Sequence, residues 1–183
     1  MLEKFVFAGF GGQGVMFMGK IMAYAGMLEG KESTWLPSYG PEMRGGTANC
    51  SVVVSTSGIG SPIVNRPNLA VVMNAPSLDK FVGAVVPGGY LLVNSSLVGK
   101  AVDREDIKVV RVPVNDIAAS LGDPRVANVV MVGVAAALTS VVDRGALYKA
   151  LEENSPNERA LEMNRKALDA GYEFAGREAR TMA

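Results

Sequence analysis

The stretch Gly9-Phe10-Gly11-Gly12-Gln13-Gly14 decides how this chain is read. Ahead of it, Phe5-Val6-Phe7-Ala8 is an apolar run with the length of a buried strand. Behind it, residues 15–28 place Val15, Met18, Ile21, Met22, Ala25 and Leu28 at the spacing of one helix face. Strand, glycine turn and helix together aim backbone N–H groups at an anion beside the helix N-terminus. Gly9, Gly11 and Gly14 fit G-x-G-x-x-G, in which glycine supplies positive φ and lets a ligand approach the backbone. The same glycines would equally serve a tight strand-to-helix turn that binds nothing.

A second unusual loop, residues 37–46, stands where the next strand, 32–36, is predicted to end. It contains Ser38-Tyr39-Gly40-Pro41-Glu42-Met43-Arg44-Gly45-Gly46. In an open α/β sheet both loops fall at the carboxyl edge of the strands, where ligands bind. Pro41 stiffens the loop, and Gly45-Gly46 permits a backbone nest beside the Arg44 guanidinium. Arginine suits bidentate recognition of a carboxylate or phosphate. An internal Arg44–Glu42 pair or an interface arginine is the competing reading. A dinucleotide-binding sheet also wants an acid at the end of this second strand for the ribose. Here Glu32 lies at its start, and Trp35, Leu36 and Pro37 end it, so NAD is not expected, although the phosphate-binding half of the logic survives.

Composition narrows the function. The 183 residues suit one domain, and 49% hydrophobic residues suffice for a core. Net charge is zero, and neither a basic stripe nor a basic amphipathic helix appears, so nucleic acid and membrane surfaces are not expected as partners. The longest apolar stretch, 126–142, is interrupted by Asn128, Thr139 and Ser140 and falls short of the roughly 20 residues a membrane span needs. No secretory signal pattern follows Lys4, and the expected location is the cytoplasm. The chain has one cysteine, Cys50, and no histidine. It cannot supply the four thiolates of an ordinary iron–sulfur cluster, nor the histidine of the usual zinc sites and nucleophile–base pairs. Cys50 reads as a small strand residue.

Along the chain, Gly19 and Gly26 allow close packing of the first helix. Residues 47–55 read as a strand, followed by a Thr56-Ser57-Gly58 hairpin turn into 59–64 and an antiparallel pair. Residues 69–73 form a central strand ending in Asn74-Ala75-Pro76-Ser77, with Ser77 as N-cap of a helix over 78–85. Asn74 is either a ligand contact or a turn-maker. Residues 90–94 and 107–112 are further strands, the first ending in Asn94-Ser95-Ser96. Asn115 or Asp116 caps a short helix over 117–121. The charge-free helix over 126–142 is either deeply buried or covered by another chain. Amphipathic helices over 144–153 and 158–177 precede a loose tail, 177–183. The expected fold is α/β: a single layered domain, 1–183, with a mixed, mainly parallel sheet flanked by helices and a Rossmann-like glycine turn after the first strand.

Phe7-Ala8-Gly9-Phe10-Gly11-Gly12-Gln13-Gly14-Val15, combined with Trp35-Leu36-Pro37-Ser38-Tyr39-Gly40-Pro41-Glu42-Met43-Arg44-Gly45-Gly46-Thr47-Ala48-Asn49-Cys50, resembles the gamma subunit of 2-oxoacid:ferredoxin oxidoreductases. The second stretch is the specific one, since many folds share the first. The resemblance continues through Asn128 and the segment from Asn164 to Gly171, and covers residues 3–177. Its wording is nearest to the 2-oxoglutarate and 2-ketoisovalerate branches.

The resemblance implies a complex that oxidatively decarboxylates a 2-oxoacid to acyl-coenzyme A and reduces ferredoxin (EC 1.2.7.-), with this chain inactive alone. Alpha and beta subunits would hold thiamine diphosphate, and a delta subunit or fused domain the iron–sulfur clusters. The gamma subunit would aid assembly and line the coenzyme A side of the active site. Carried onto this sequence, the cofactor-side residues are Gly9, Gly11, Gly12, Gln13, Gly14, Ser38, Tyr39, Glu42, Arg44 and Gly45, with no catalytic residue and no metal ligand. The residues themselves agree with that division: Gly122-Asp123 runs into Pro124, and no thiamine-site Gly-Asp-Gly…Asn-Asn pattern occurs. Two alternatives stand beside this one, a stand-alone α/β nucleotide-binding enzyme and a purely structural assembly subunit.

Overall fold

The computed structural model describes residues 1–39 and 47–181. Its centre is β1 (Leu2–Phe10), whose residues 5–9 are buried. Apolar side chains on both faces fit a strand covered on both sides. On one flank lies β3 (Thr47–Ser55), antiparallel, with Phe5 opposite Val52 and Phe10 opposite Thr47. On the other lies β4 (Leu69–Val72), parallel, with Phe5 opposite Leu69. β5 (Tyr90–Asn94) and β6 (Lys108–Val112) continue the parallel side. β2 (Glu32–Tyr39) closes the antiparallel edge, giving the order β2-β3-β1-β4-β5-β6. The ends of β1, β2, β4, β5 and β6 and the start of β3 therefore share one edge.

Alternation along the strands divides the core. Phe5, Phe7, Cys50, Val52, Val54 and Val71 face a thick helical layer, while Ala70, Val72, Leu91 and Val93 face a smaller cluster with Leu78, Val85 and Ile107. α2 (Ala75–Phe81) lies in the smaller cluster. The thick layer begins with α1 (Val15–Leu28), which sits close to the sheet because two of its residues lack side chains. A Cβ at Gly19 would collide with Cys50 Sγ and lie 3.1 Å from the Trp35 ring, and one at Gly26 would lie 2.5 Å from Ser33 Oγ. Behind α1 come α3 (Val114–Ser120), a 3-10 turn (Pro124–Val126), α4 (Ala127–Thr139), α5 (Arg144–Asn154) and α6 (Glu158–Thr181).

The charge-free helix is buried within its own chain, not by a partner. Every residue of α4 from Ala127 to Ala136 is buried, much of it beneath α6. The two helices touch backbone to backbone where Gly133 meets Gly171. A Cβ on Gly171 would lie 2.9 Å from both Gly133 Cα and Val134 N, and closer still to the Val130 carbonyl oxygen. α4 then ends on Ser140, in the left-handed conformation at φ 50°.

Several local expectations give way to tertiary context. Residues 59–64 form no strand; β3 is already paired on both sides, so no edge was left for them, and the antiparallel pairs are β1–β3 and β2–β3. β2 runs on through Pro37 and Ser38 to Tyr39, shortening the expected loop; an edge strand tolerates a proline that donates no ladder hydrogen bond. Helix α2 starts at Ala75, and its N-cap is Asn74, whose side chain accepts from Ser77 N–H; Ser77 is not the cap. α3 starts at Val114, ahead of Asn115 and Asp116, which make other bonds. The stretch 126–142 is divided between the 3-10 turn, α4 and a bend, and α6 continues to Thr181, beyond the helix end expected at Arg177.

Candidate functional site

The glycine turn lies at the shared carboxyl edge. Gln13 N–H donates to the Phe10 carbonyl at 3.1 Å and closes the turn. Gly14, at φ 73° and ψ 21°, is the N-cap of α1, and its carbonyl receives Met18 N–H at 3.0 Å. No side chain caps this helix and no acid occupies its first turn. The N–H groups of its first turn therefore have no intrahelical acceptor, and the partial positive end of the helix faces the same edge. Glycine is required at position 14 twice over, by its positive φ and because a Cβ would lie 2.8 Å from Asn128 Cγ. Asn128, buried at the start of α4, donates to the Gly14 carbonyl at 3.4 Å. Phe10, Gly11 and Gly12 are exposed.

Gln13 behaves differently from its neighbours. Its Oε1 accepts from Phe10 N–H at 2.7 Å and from Asn74 Nδ2 at 3.2 Å, and its Nε2 donates to the Met73 carbonyl at 3.2 Å. The side chain thus spans the crevice between the ends of β1 and β4. In an open α/β sheet this is where the chain switches direction and a nucleotide would lie. Gly9 is buried beneath it, since a Cβ there would come within 2.7 Å of Gln13 Oε1.

The network continues across the edge. Asn94, fully buried, donates to the Met73 carbonyl at 3.4 Å and to Asn115 Oδ1 at 2.8 Å, and accepts from Ser96 N–H at 3.2 Å. Ser96 Oγ donates to Asp116 at 2.9 Å. The polar endings of β4 and β5 thus bind one another and shape the edge.

Beside the turn, a cavity of about 520 Å³ opens between the 3-10 turn, α4 and the start of α6, lined in part by Phe17, Asp123, Arg125, Asn128, Arg159 and Asn164. Asp123 grips Arg125 in a two-point pair at 2.9 and 2.7 Å. That guanidinium, the Arg125 backbone N–H and the more distant Arg159 hold the Asp123 carboxyl down at about 2. With one carboxylate against two guanidiniums, the cavity wall carries a positive excess. Composition did not single out Arg125 or Arg159, because only folding brings them next to Asn128.

Of the residues expected at a site, Gly9, Gly11, Gly12, Gln13 and Gly14 come together. Ser38 is exposed near the end of β2, opposite Asn49 of β3, which stands opposite Ala8 of β1. It is therefore two strands, roughly 10 Å, away from the turn. Tyr39 ends β2 on the same edge. Glu42, Arg44 and Gly45 lie outside the described residues. Cys50 is buried; desolvation pushes its thiol up to about 12, and Sγ lies 3.3 Å from the Val15 carbonyl. Among the described residues no group of histidine, cysteine, aspartate or glutamate could hold a metal ion, and no helix is long and apolar enough to cross a membrane.

The family model described as pyruvate ferredoxin/flavodoxin oxidoreductase matches residues 4–174. The ketoisovalerate oxidoreductase subunit VorA of Methanothermobacter thermautotrophicus is 42% identical over 170 residues, which are 92% of this chain and 35% of that protein. This chain therefore spans about a third of that relative's length. The 2-oxoglutarate synthase subunit KorC of Methanocaldococcus jannaschii is 34% identical over 178 residues and is matched almost end to end, over 96% of this chain and 95% of that one. The solved gamma subunit of a keto/oxoacid ferredoxin oxidoreductase from Geobacter sulfurreducens superposes with a TM-score of 0.84 at 34% identity, covering 96% of this chain and 99% of that one.

Proposed function

Because the chain belongs to the pyruvate ferredoxin/flavodoxin oxidoreductase family, we propose that it is the gamma subunit of a multi-subunit 2-oxoacid:ferredoxin oxidoreductase, with a 2-oxoacid of the 2-oxoglutarate or 2-ketoisovalerate kind as substrate. Full-length similarity to a protein named as a gamma subunit is the observation that carries this reading. In the reaction, a 2-oxoacid loses carbon dioxide, its acyl group passes to coenzyme A, and the electrons go to ferredoxin. Alpha and beta chains hold the thiamine diphosphate, and a delta-type chain or domain holds the iron–sulfur clusters. The chain's one thiol, Cys50, is buried, and a single cysteine cannot supply the four thiolates of an ordinary cluster.

Its own part is positional. The exposed turn at Gly11 and Gly12, with the uncapped N-terminus of α1 and the arginine-bearing cavity beside it, suits an anionic group, and we assign it to a phosphate of coenzyme A. To the segment from Tyr39 to Gly46 we assign the contact with the alpha and beta chains, and to Arg44 the pairing of a carboxylate or phosphate there. A stand-alone nucleotide-binding enzyme is the weaker reading, since Gln13 fills the crevice such an enzyme would use.

The test is affinity capture of the chain from an anaerobic extract of its own cells, with native mass spectrometry and a coenzyme A-dependent viologen assay across several 2-oxoacids. The expected result is co-purifying thiamine and iron–sulfur chains with activity on one 2-oxoacid. A lone monomer or homodimer inactive on all of them would overturn the assignment. In the assembled enzyme, Arg44→Ala is expected to raise the coenzyme A KM more than about tenfold, the loss of one charge-assisted hydrogen bond.

A further inference from the structure

We infer that Gln13 is a positioning residue, a latch that fixes the glycine turn to the end of β4, and that its amide does not contact a ligand. The inference of a functional consequence rests on the reading that the turn faces an anionic group. The hydrogen bonds assign the role. Within residues 10–13 the turn is closed twice, by Gln13 N–H on the Phe10 carbonyl and by Phe10 N–H on Gln13 Oε1. From there the amide reaches across the crevice: Oε1 accepts from Asn74 and Nε2 donates to Met73. Met73 N–H is itself bound to the Ala8 carbonyl at 2.9 Å, and its carbonyl also receives Asn94. Asn74 Oδ1 caps α2 through Ser77 N–H at 2.9 Å. One side chain therefore ties the ends of β1 and β4 to the start of α2, and Asn94 extends the tie to β5. Buried Gly9 leaves the space in which it lies.

The latch has a chemical signature. It needs an acceptor toward Phe10 and Asn74 and a donor toward Met73, and a primary amide has both. Glutamate matches its shape, but a carboxylate sets an acceptor against the Met73 carbonyl; only the protonated acid has a hydrogen to donate. Methionine has the length and neither group. Gln13→Glu is thus a latch that pH closes, and Gln13→Met one that pH cannot.

The experiment measures amide hydrogen exchange of segment 8–15 in the unliganded oxidoreductase complex, each variant against the unmodified protein at the same pH, together with the coenzyme A KM. At about pH 8, well above an ordinary glutamate's range, both variants are expected to exchange about tenfold faster, the effect of one net hydrogen bond. As pH falls, the Glu variant returns toward the unmodified protein and the Met variant does not, with KM following exchange in both. Unchanged exchange in both variants, whatever KM does, overturns the latch. Faster exchange with unchanged KM keeps the latch and removes the anion reading of the turn, so the two ideas fail separately.

Discussion

Replacing Gly171 by alanine places a methyl group at the tightest contact described for this protein. Its Cβ would stand 2.9 Å from Gly133 Cα and from Val134 N, and closer to the Val130 carbonyl, all backbone atoms of α4 that no rotamer change can move. Relief requires the helices to separate by about 1 Å along a crossing that buries Val130, Val134, Ala167 and Leu168, an overpacking that typically costs 1–3 kcal/mol. Against this, alanine favours the helix over glycine by about 1 kcal/mol. Gly176, five positions on in the same helix, isolates that gain, because a Cβ there meets nothing within 4 Å. We expect Gly176→Ala to stabilise by about 0.5–1 kcal/mol and Gly171→Ala, the overpacking less the helix gain, to destabilise by up to about 2 kcal/mol. The gap between the two, about 1–3 kcal/mol, corresponds to roughly 2–12 °C in Tm for a chain of this size. Calorimetry or urea unfolding of the two variants beside the parent measures it. Equal shifts would refute the backbone contact between α4 and α6.

The Cys50 thiol should resist alkylation at about pH 8 in the folded chain and react once it is unfolded, because burial keeps it protonated to about 12. Its folded pKa lies above the unfolded value of 9, so its contribution is full below 9 and fades as pH rises toward 12; a thiol reacting at the same rate in both states contradicts the burial. Ser140→Gly should raise stability by about 0.5–1 kcal/mol, since the left-handed cap position is strained for any residue with a Cβ; a loss in a urea titration contradicts this. Asn94→Leu keeps the branched shape but strands Asn115 Oδ1 and Ser96 N–H at the carboxyl edge, and should cost at least about 1–3 kcal/mol by thermal unfolding.

The parts legible in the sequence were those with a local cause. The apolar run of β1, the glycine turn and the periodic face of α1 each announce themselves within a few residues. Gly19 and Gly26 marked the close packing of α1 in advance. The parts that were not legible depend on distant partners. Pro37 reads as a strand terminator until β2 is seen to be an edge. Residues 59–64 look like a strand until both sides of β3 are taken. Gln13 reads as one more cofactor-side residue of the turn until Met73 and Asn74, some sixty positions away in the chain, arrive beside it. Arg159 and Asn128 share a cavity only once α4 and α6 pack. The local pattern thus placed the turn, while the chemistry of its rim follows from tertiary contacts.

Pro37 has a further consequence, for the company the molecule keeps. An open sheet edge is a template on which a stray strand can grow, and β2 is such an edge. With its nitrogen turned outward, as edge prolines have it, Pro37 removes one rung from that template two residues before the strand ends at Tyr39. A foreign strand aligning there loses its ladder just as it reaches the carboxyl edge. Backbone pairing, which accepts almost any sequence, is thereby discouraged at the end of the sheet that bears the glycine turn. Any chain docking there would have to be recognised by its side chains, and the fold guards the end of its open strand against polymerising.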